Sequence, residues 1–476
     1  MVYPFGNKAQ RISLLLAHCI ILSLRLLPAF SLQLSMSSSK LLTISENVWR
    51  TAASNHKRRI KSILQPGLTP REDQINTGNR RKNNKMYDEW TALDPVNPIY
   101  NFLIEYYGIK GAKGPRRLAR WSPDPALLLE ESDNDSHGKS NGVFSTLICT
   151  DGTNDVYNAA MKASHGLGGI LLENANEDDM GGTLHLRGCT PVISENCNNG
   201  ELNFHGVLYN PAIFYNRHIP VAETTQNEKN QRLKTISPFQ WYSSILQSTL
   251  DSEPIMHCHG LHEWAMQYHP EGSPPPPSGK YQSKLPLRVS REVINKTVER
   301  KGISCTHVDA LRFFAPAAGP LNHHGSQLQR IDQLRLEQKA CVHAQMDLLK
   351  IALKLNSFID AELLGDILEI SIQARRLDVE ASPYDATSFG AGIVPVETSI
   401  GRKMYREQQK DLMDRAEPVR IRLLDAYRNF MGISFDNELL VGGDDKSAKS
   451  TAYVAPERFA MAEPGGLPWR HNLIES

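Results

Sequence analysis

Three short segments of this chain concentrate side chains that can bind a metal ion or transfer a proton. They are residues 257–264, 305–316 and 341–350. Each places a cysteine beside or two residues before a histidine, with a carboxylate two to five residues further on. Polar groups of this kind are costly in apolar surroundings unless they are paired or form a site. We therefore predict one buried polar site to which all three segments contribute.

The spacing of these residues favours a site for a divalent metal ion. Side chains two positions apart on an extended segment, or three or four apart on a helix, project from the same face. Imidazole and carboxylate groups are common ligands of zinc and iron. An open coordination position would activate water in a hydrolase or bind dioxygen in an oxygenase. The predicted metal ligands are His259, His262, Glu263, His307, Asp309, His343 and Asp347.

A metal-free enzyme is an alternative that uses several of the same residues. Asp309 or Glu263 would act as a general base on water, and His307 would stabilise the developing charge. Aromatic rings would hold an extruded nucleobase between them, and a guanidinium beside such rings suits a flat or anionic ligand. The residues proposed for this binding role are Trp264, Arg312, Phe313, Phe314 and Tyr384.

A non-catalytic interpretation also remains open. The protein would then be a helical scaffold, and the three segments would form a structural zinc site or a polar core whose groups satisfy one another. His343 and Asp347 would lie on the polar side of an ordinary amphipathic helix. Tyr384 and Asp385 would do no more than cap the end of a helix.

The elements that would position these segments are predicted to be mainly helices. Pro238 is expected to open one helix, Ser357 and Asp360 to form a capping box, and Gly432 to end the last helix. Strand-like runs at 144–149 and 169–172, with a helical pattern at 154–165, indicate a small α/β insertion. The predicted helices cover residues 42–65, 97–107, 237–252, 259–268, 290–302, 341–356, 357–381 and 404–431.

These elements predict a mainly α fold in which a helical core carries the small α/β insertion. A length of 476 residues allows either several domains or one large domain with insertions. The expected divisions are a presequence at 1–40, an N-terminal part of the core at 41–129, the insertion at 130–205, the main helical domain carrying the site at 206–432, and a loose polar tail at 433–476.

Charge and cysteine content limit the classes of partner. The formal net charge is +1, so no field of the whole molecule attracts nucleic acid or a membrane surface. The seven cysteines are odd in number and irregularly spaced, which argues against a disulfide framework. We interpret Cys258, Cys305 and Cys341 as reduced thiols that either pack in the core or bind metal.

The first forty residues have the pattern of a targeting segment. Lys8 and Arg11 precede a mostly apolar run, 12–24, that is too short to span a bilayer, and Ser-rich, acid-free sequence follows. This two-part pattern resembles the presequences of algae with complex plastids. It predicts a plastid protein with no membrane segment in its mature form. A mitochondrial or secretory leader is the alternative.

Longer stretches around the candidate site resemble a bacterial and algal family named for 3-methyladenine DNA glycosylase activity. The resemblance covers roughly residues 45–430 and implies a hydrolase that cleaves a base–sugar bond in DNA or in another nucleobase-containing substrate. Asp309, Glu263 and His307 would be its catalytic residues, and Tyr107, Arg120 and Asp385 join the residues proposed to bind substrate. The segments that carry the resemblance are 97–107, 120–123, 259–266, 305–316, 343–348 and 381–385.

Overall fold

The computed structural model of this chain is mainly helical, which confirms the predicted fold class of a helical core with a small α/β part. Predictions for the presequence, for the strand at 144–149, for the helix at 154–165 and for the tail beyond 434 lie outside the described residues. The structure describes residues 42–70, 90–123, 170–175, 189–195, 202–209, 226–273, 285–355 and 358–434.

The helical core contains both long and very short helices. None of the helices in the described ranges is both long enough and apolar enough to cross a bilayer. In chain order they are α1 (Glu46–Leu64), α2 (Asn101–Glu105), α3 (Lys113–Leu118), α4 (Gln226–Asp251), α5 (Leu261–Gln267), α6 (Arg291–Glu299), α7 (Val308–Leu311), α8 (Gln333–Leu336), α9 (Val342–Lys354), α10 (Ala361–Glu380) and α11 (Ser399–Ser434).

Helix α10 lies at the centre of the core. It packs against α9, α11 and α1, and α11 packs in turn against α4 and α9. Leu364, Ile367, Leu368 and Leu377 of α10 are buried at the helical spacing that places apolar side chains on the neighbouring helices. Because α9 and α10 are closely packed along their length, polar side chains that both helices turn inward are brought together away from water.

The small sheet contains four strands in the order β1-β2-β4-β3. Strand β1 runs parallel to β2, whereas β4 is antiparallel to both β2 and β3. One side of the sheet packs against α1, where Trp49 is buried with Leu172, Val207 and Tyr209 and donates its indole N–H to the carbonyl oxygen of Glu173 over 3.1 Å. The strands are β1 (Leu42–Ile44), β2 (Ile170–Glu173), β3 (Cys189–Glu195) and β4 (Leu202–Tyr209).

Several predicted boundaries are wrong, each for a local physical reason. Pro238 lies inside α4 rather than at its start, since a helix tolerates an internal proline at the cost of a backbone hydrogen bond. Asp360, not Ser357, caps α10, and its carboxylate accepts the N–H of Leu363 over 2.7 Å. Helix α11 continues past Gly432, because glycine inside a helix is only about 1 kcal/mol less favourable than alanine.

The sheet also crosses two of the predicted divisions. Strand β4 ends at Tyr209, beyond the expected end of the insertion at 205. Strand β1 comes from the segment assigned to the N-terminal part of the core, yet it pairs with β2 of the insertion. The α/β part is therefore assembled from strands on both sides of α1 in the sequence.

Gly401, in the first turn of α11, provides a test of this packing. A Cβ atom at this position would overlap the carbonyl oxygen of Pro395, which is backbone and cannot rotate away. We expect Gly401→Ala to lower the free energy of unfolding by about 1–3 kcal/mol, because overpacking outweighs the gain in helix propensity. Urea denaturation followed by circular dichroism measures the change.

Gly392→Ala is the matched control for that experiment. Its added methyl group would meet only the side chain of Glu380, at 3.4 Å, which is ordinary contact with a flexible group. An equal loss of stability in both variants would show that the close approach to Pro395 is not the cause.

Candidate metal centre

Three histidines from three different elements lie in a row inside the helical core. His262 belongs to α5, His307 directly precedes α7, and His343 lies in the first turn of α9. The ring of His343 stands between the other two. Its centroid is 4.3 Å from that of His262 in an edge-to-face arrangement and 4.7 Å from that of His307, with which it stacks at 11°. His262 and His307 are buried, and His343 is half-buried.

Asp378 of α10 completes a group of possible metal ligands at one end of this row. His262 Nε2 lies 2.8 Å from Asp378 Oδ1, and one ligand atom from each of His262, His343 and Asp378 lies within 4.8 Å of the others. The close pair is nevertheless not aligned as a hydrogen bond, and both of its atoms are buried without a hydrogen-bond partner. A buried imidazole nitrogen and a buried carboxylate oxygen this close together, with the His343 ring in reach, are arranged as ligands of one ion would be.

A second layer of residues holds the Asp378 carboxylate in place. Arg375 Nη1 lies 2.5 Å from Asp378 Oδ2 and 3.1 Å from Glu263 Oε1, and Arg375 Nε donates to the carbonyl oxygen of Pro98 over 3.0 Å. Since Arg375 engages Oδ2, the other oxygen of Asp378 remains available to a ligand. Metal-binding carboxylates are commonly oriented by such outer partners.

The electrostatics of this group suit ligation. Burial by itself would raise the pKa of Asp378, but His262 and Arg375 hold it well below its usual range, so the group is a carboxylate. Burial, together with the neighbouring His262 and His307, lowers the pKa of His343 far below its usual value. His343 is therefore a neutral imidazole, the form that binds metals.

His307 lies at the other end of the row, among a second set of possible ligands. Its Nδ1 atom is 3.2 Å from Glu337 Oε2, and Gln333 donates to the same carboxylate oxygen over 2.8 Å. Although burial opposes it, Glu337 raises the pKa of His307. One ligand atom from each of His307, Asp309 and Asp347 lies within 4.8 Å of the others. The same holds for His307, Glu337 and Cys341.

The site opens to solvent on the side of Asp309. The side chain of Asp309 is 33% exposed, and it is paired with Arg330 at 3.1 Å and Lys350 at 3.9 Å. Lys350 also contacts Asp347 at 2.7 Å. Burial opposes the ionisation of Asp309, but Lys350 and Arg330 lower its pKa far below the usual range. An ionised, cation-paired carboxylate of this kind is a poor general base near neutral pH.

The structure brings together most of the predicted metal ligands but not all of them. His262, His307, His343, Asp309 and Asp347 all take part in the groups just described. Glu263 is buried next to them, where its Oε1 atom binds Arg375, its Oε2 atom has no hydrogen-bond partner, and burial raises its pKa.

The placement of His259 contradicts its predicted role as a metal ligand on the same helix face as His262. His259 and Gly260 have left-handed backbone angles, φ +50° and φ +66°, so the chain turns immediately before α5. The ring of His259 faces Tyr405, with 6.0 Å between centroids. It therefore belongs to none of the possible ligand groups among the described residues.

Several residues proposed to bind substrate instead have structural roles. Trp264 is completely buried and donates its indole N–H to the carbonyl oxygen of Ala381 over 2.8 Å. Tyr384 is buried, and its hydroxyl accepts a hydrogen bond from Gln267. Asp385 accepts the N–H and hydroxyl of Thr387, as a turn cap does. Phe314 packs against the core.

The remaining candidates divide between two places. Arg120 lies two residues after Leu118 of α3, whose carbonyl oxygen is hydrogen-bonded to the ring of His56 in the first helix. Near the open side, Arg312 stacks over Phe313 with 4.7 Å from its guanidinium carbon to the ring centroid, and the ring of Tyr106 lies 6.4 Å from that of Phe313. Tyr107 is half-buried, and burial together with nearby Asp347 raises its pKa well above the usual value.

Sequence reasoning missed Asp378, Arg375 and Glu337. Arg375 and Asp378 are three residues apart on the predicted helix, and Asp378 lies between the apolar Leu377 and Val379. A charged pair at helical spacing on an otherwise apolar helix face could have indicated that these two residues belong to a buried polar site. Glu337 has no such pattern around it, because its partner His307 is thirty residues away in the sequence.

Comparison of the chain with models of protein families, with curated proteins and with solved structures finds no match. What this chain can do must therefore be inferred from the geometry of the site itself.

Proposed function

We propose that this protein is a metal-dependent enzyme whose ion is held by His262, His343 and Asp378. Two histidines and one carboxylate are a ligand set of catalytic zinc in hydrolases and of non-haem iron in oxygenases. A set of three protein ligands leaves coordination positions open for water or substrate, and an ion in this setting acidifies bound water or binds dioxygen.

One observation carries this proposal. His262 Nε2 and Asp378 Oδ1 are buried 2.8 Å apart, and neither atom has a hydrogen-bond partner. Leaving two buried polar groups unsatisfied costs roughly 1–3 kcal/mol each, more for a charged group, unless something binds them. A cation bound to both atoms, with His343 as third ligand, would remove that cost.

The other residues of the site have supporting roles under this proposal. Arg375 keeps Asp378 ionised and oriented, and burial keeps His343 neutral. Lys350 and Arg330 pair with the carboxylates of Asp309 and Asp347 and hold them at the open side of the site.

Metal analysis of the purified protein tests the proposal. We expect about one zinc or iron ion per chain at this group, and its loss in His343→Ala, since removal of one of three protein ligands leaves too few. Inductively coupled plasma mass spectrometry of protein prepared without chelators gives the content. Zinc would direct assays to hydrolysis of nucleobase and phosphoester substrates, and iron to oxygen consumption.

His259→Gln is the control for that measurement, because the His259 ring faces Tyr405 rather than the ligand group. We expect it to retain the ion. Protein that contains no stoichiometric metal, or that loses it equally in both variants, would contradict the proposal.

Hydrolysis of a base–sugar bond, as the sequence resemblance implies, is the second candidate function. The observation that favours it is the group of exposed Arg312, exposed Tyr106 and half-buried Phe313 near Asp309, because neighbouring rings and a guanidinium suit a nucleobase. Ionised Asp309 would then stabilise positive charge on the sugar rather than act as a base. Release of 3-methyladenine from alkylated DNA, lost in Asp309→Asn, is the test.

A further inference from the structure

We propose that the site binds a second divalent cation, held by His307, Asp309 and Asp347, so that the metal centre contains two ions. The inference rests on the proposed function, because the second group adjoins the first through the stacked rings of His307 and His343. One ligand atom of each of the three residues lies within 4.8 Å of the others. The group is on the open side of the site, where a substrate would arrive.

The orientation of His307 is the first argument for this ion. A metal-binding histidine usually donates its second ring N–H to a carboxylate, which fixes its tautomer and leaves the other nitrogen as the ligand. His307 Nδ1 lies 3.2 Å from Glu337 Oε2, and Gln333 holds that carboxylate through a 2.8 Å hydrogen bond. His307, Glu337 and Gln333 are all buried, so this arrangement belongs to the core rather than to a mobile surface.

The state of the two carboxylates is the second argument. Arg330 and Lys350 both approach Oδ2 of Asp309, and Lys350 approaches Oδ2 of Asp347. In each residue Oδ1 lies outside these ion pairs. A carboxylate accepts several partners, so a cation on its second oxygen is compatible with an ion pair on the first.

The charges predict an order of binding. The guanidinium of Arg375, which pairs with Asp378, is shared with the carboxylate of Glu263, so the first group retains more uncompensated negative charge. Asp309 and Asp347 are already neutralised by Arg330 and Lys350. We therefore expect the second ion to bind more weakly than the first and to enter after it.

Titration of the metal-free full-length chain with Co²⁺ tests this inference, using calorimetry for stoichiometry and visible absorption for ligand type. We expect about two ions per chain in the wild type, with the second binding about tenfold or more weakly. Asp347→Asn should retain only the tighter ion. If Asp347→Asn does not fold, Asp309→Asn replaces it in the test, because Asp309 is the more exposed of the two carboxylates. It should likewise retain only the tighter ion. Asp411→Asn, on the surface of α11, should bind like the wild type.

The outcomes separate the two proposals. The wild type could bind one ion, which is lost in Asp378→Asn but retained in Asp347→Asn and Asp309→Asn. This result would overturn the proposal of a second ion and leave the proposed function intact. No Co²⁺ binding in the wild type would overturn both. An intense thiolate-to-cobalt absorption band that disappears in Cys341→Ser would place the second ion with His307, Glu337 and Cys341, and would overturn the assignment made here.

Discussion

Replacing Asp378 with asparagine should weaken binding of the first ion by at least about 100-fold, since losing even an outer partner of a metal ligand typically costs 10–100-fold. The substitution removes the anionic ligand while preserving its shape. Arg375 remains paired with Glu263, so the charge network does not collapse. The dissociation constant of Zn²⁺, measured in competition with a chromophoric chelator, gives the effect, and enzymatic activity should fall in parallel.

Glu263→Gln is the informative comparison for Asp378→Asn. It also removes one of the two carboxylates on Arg375, but Glu263 is not a member of the ligand group. We expect it to weaken binding by no more than about 10-fold, as an outer partner would. If Asp378→Asn binds Zn²⁺ as tightly as the wild type, the role of Asp378 as a metal ligand is refuted.

Replacing Arg375 with methionine should have the largest effect on stability, a loss of about 3–5 kcal/mol in the free energy of unfolding. Arg375 is the buried cation between Glu263 and Asp378, and both carboxylates are themselves buried. Methionine preserves much of the packing volume but leaves two negative charges without their partner. Urea unfolding of the metal-free protein measures the loss without a contribution from metal binding.

Arg376→Met is a control at the neighbouring position. Its side chain is 38% exposed and forms an i,i+4 pair with Glu380 at 3.5 Å, a surface contact worth roughly 0–1 kcal/mol. If Arg375→Met loses no more free energy of unfolding than Arg376→Met does, the two buried carboxylates do not depend on Arg375. They would then be stabilised in another way, such as by protonation.

The sequence predicted the helical framework well because its signals are local. Apolar residues at helical spacing predicted α9 and α10. The reason is visible in the core, where Leu348 and Leu349 of α9 and Ile367 and Leu368 of α10 are all buried in one hydrophobic cluster. Their ends were less predictable. Asp360 and Ser357 are both good capping residues, and only the position of the first turn decides between them.

Part of the candidate site was also predictable from local sequence. His262, His307 and His343 were chosen because polar side chains in apolar segments need partners, and the structure places their rings in contact. His259 was assigned wrongly, because helical periodicity does not show that two successive left-handed residues turn the chain. Trp264 was assigned wrongly because a buried aromatic residue has the same sequence pattern whether it packs in a core or lines a site.

The partners of these histidines could not be predicted, since they come from distant parts of the chain. Asp378 meets His262 only because α10 packs beside α5, and Glu337 meets His307 through the segment before α9. Pairings of this kind depend on tertiary packing, which periodicity within one segment does not encode.

The pairing of β1 with β2 has a consequence for any attempt to shorten this protein. A deletion of residues 130–205, designed to recover a minimal helical core, would remove β2, β3 and the first half of β4, and would leave β1 and the remainder of β4 without the strand that joins them. It would also uncover the apolar face of α1 around Trp49, which now packs against Leu172. The shortened chain would present an unpaired strand edge next to an exposed tryptophan, a combination that promotes aggregation. A successful minimal version must therefore also remove β1 and β4 and replace Trp49 with a polar residue.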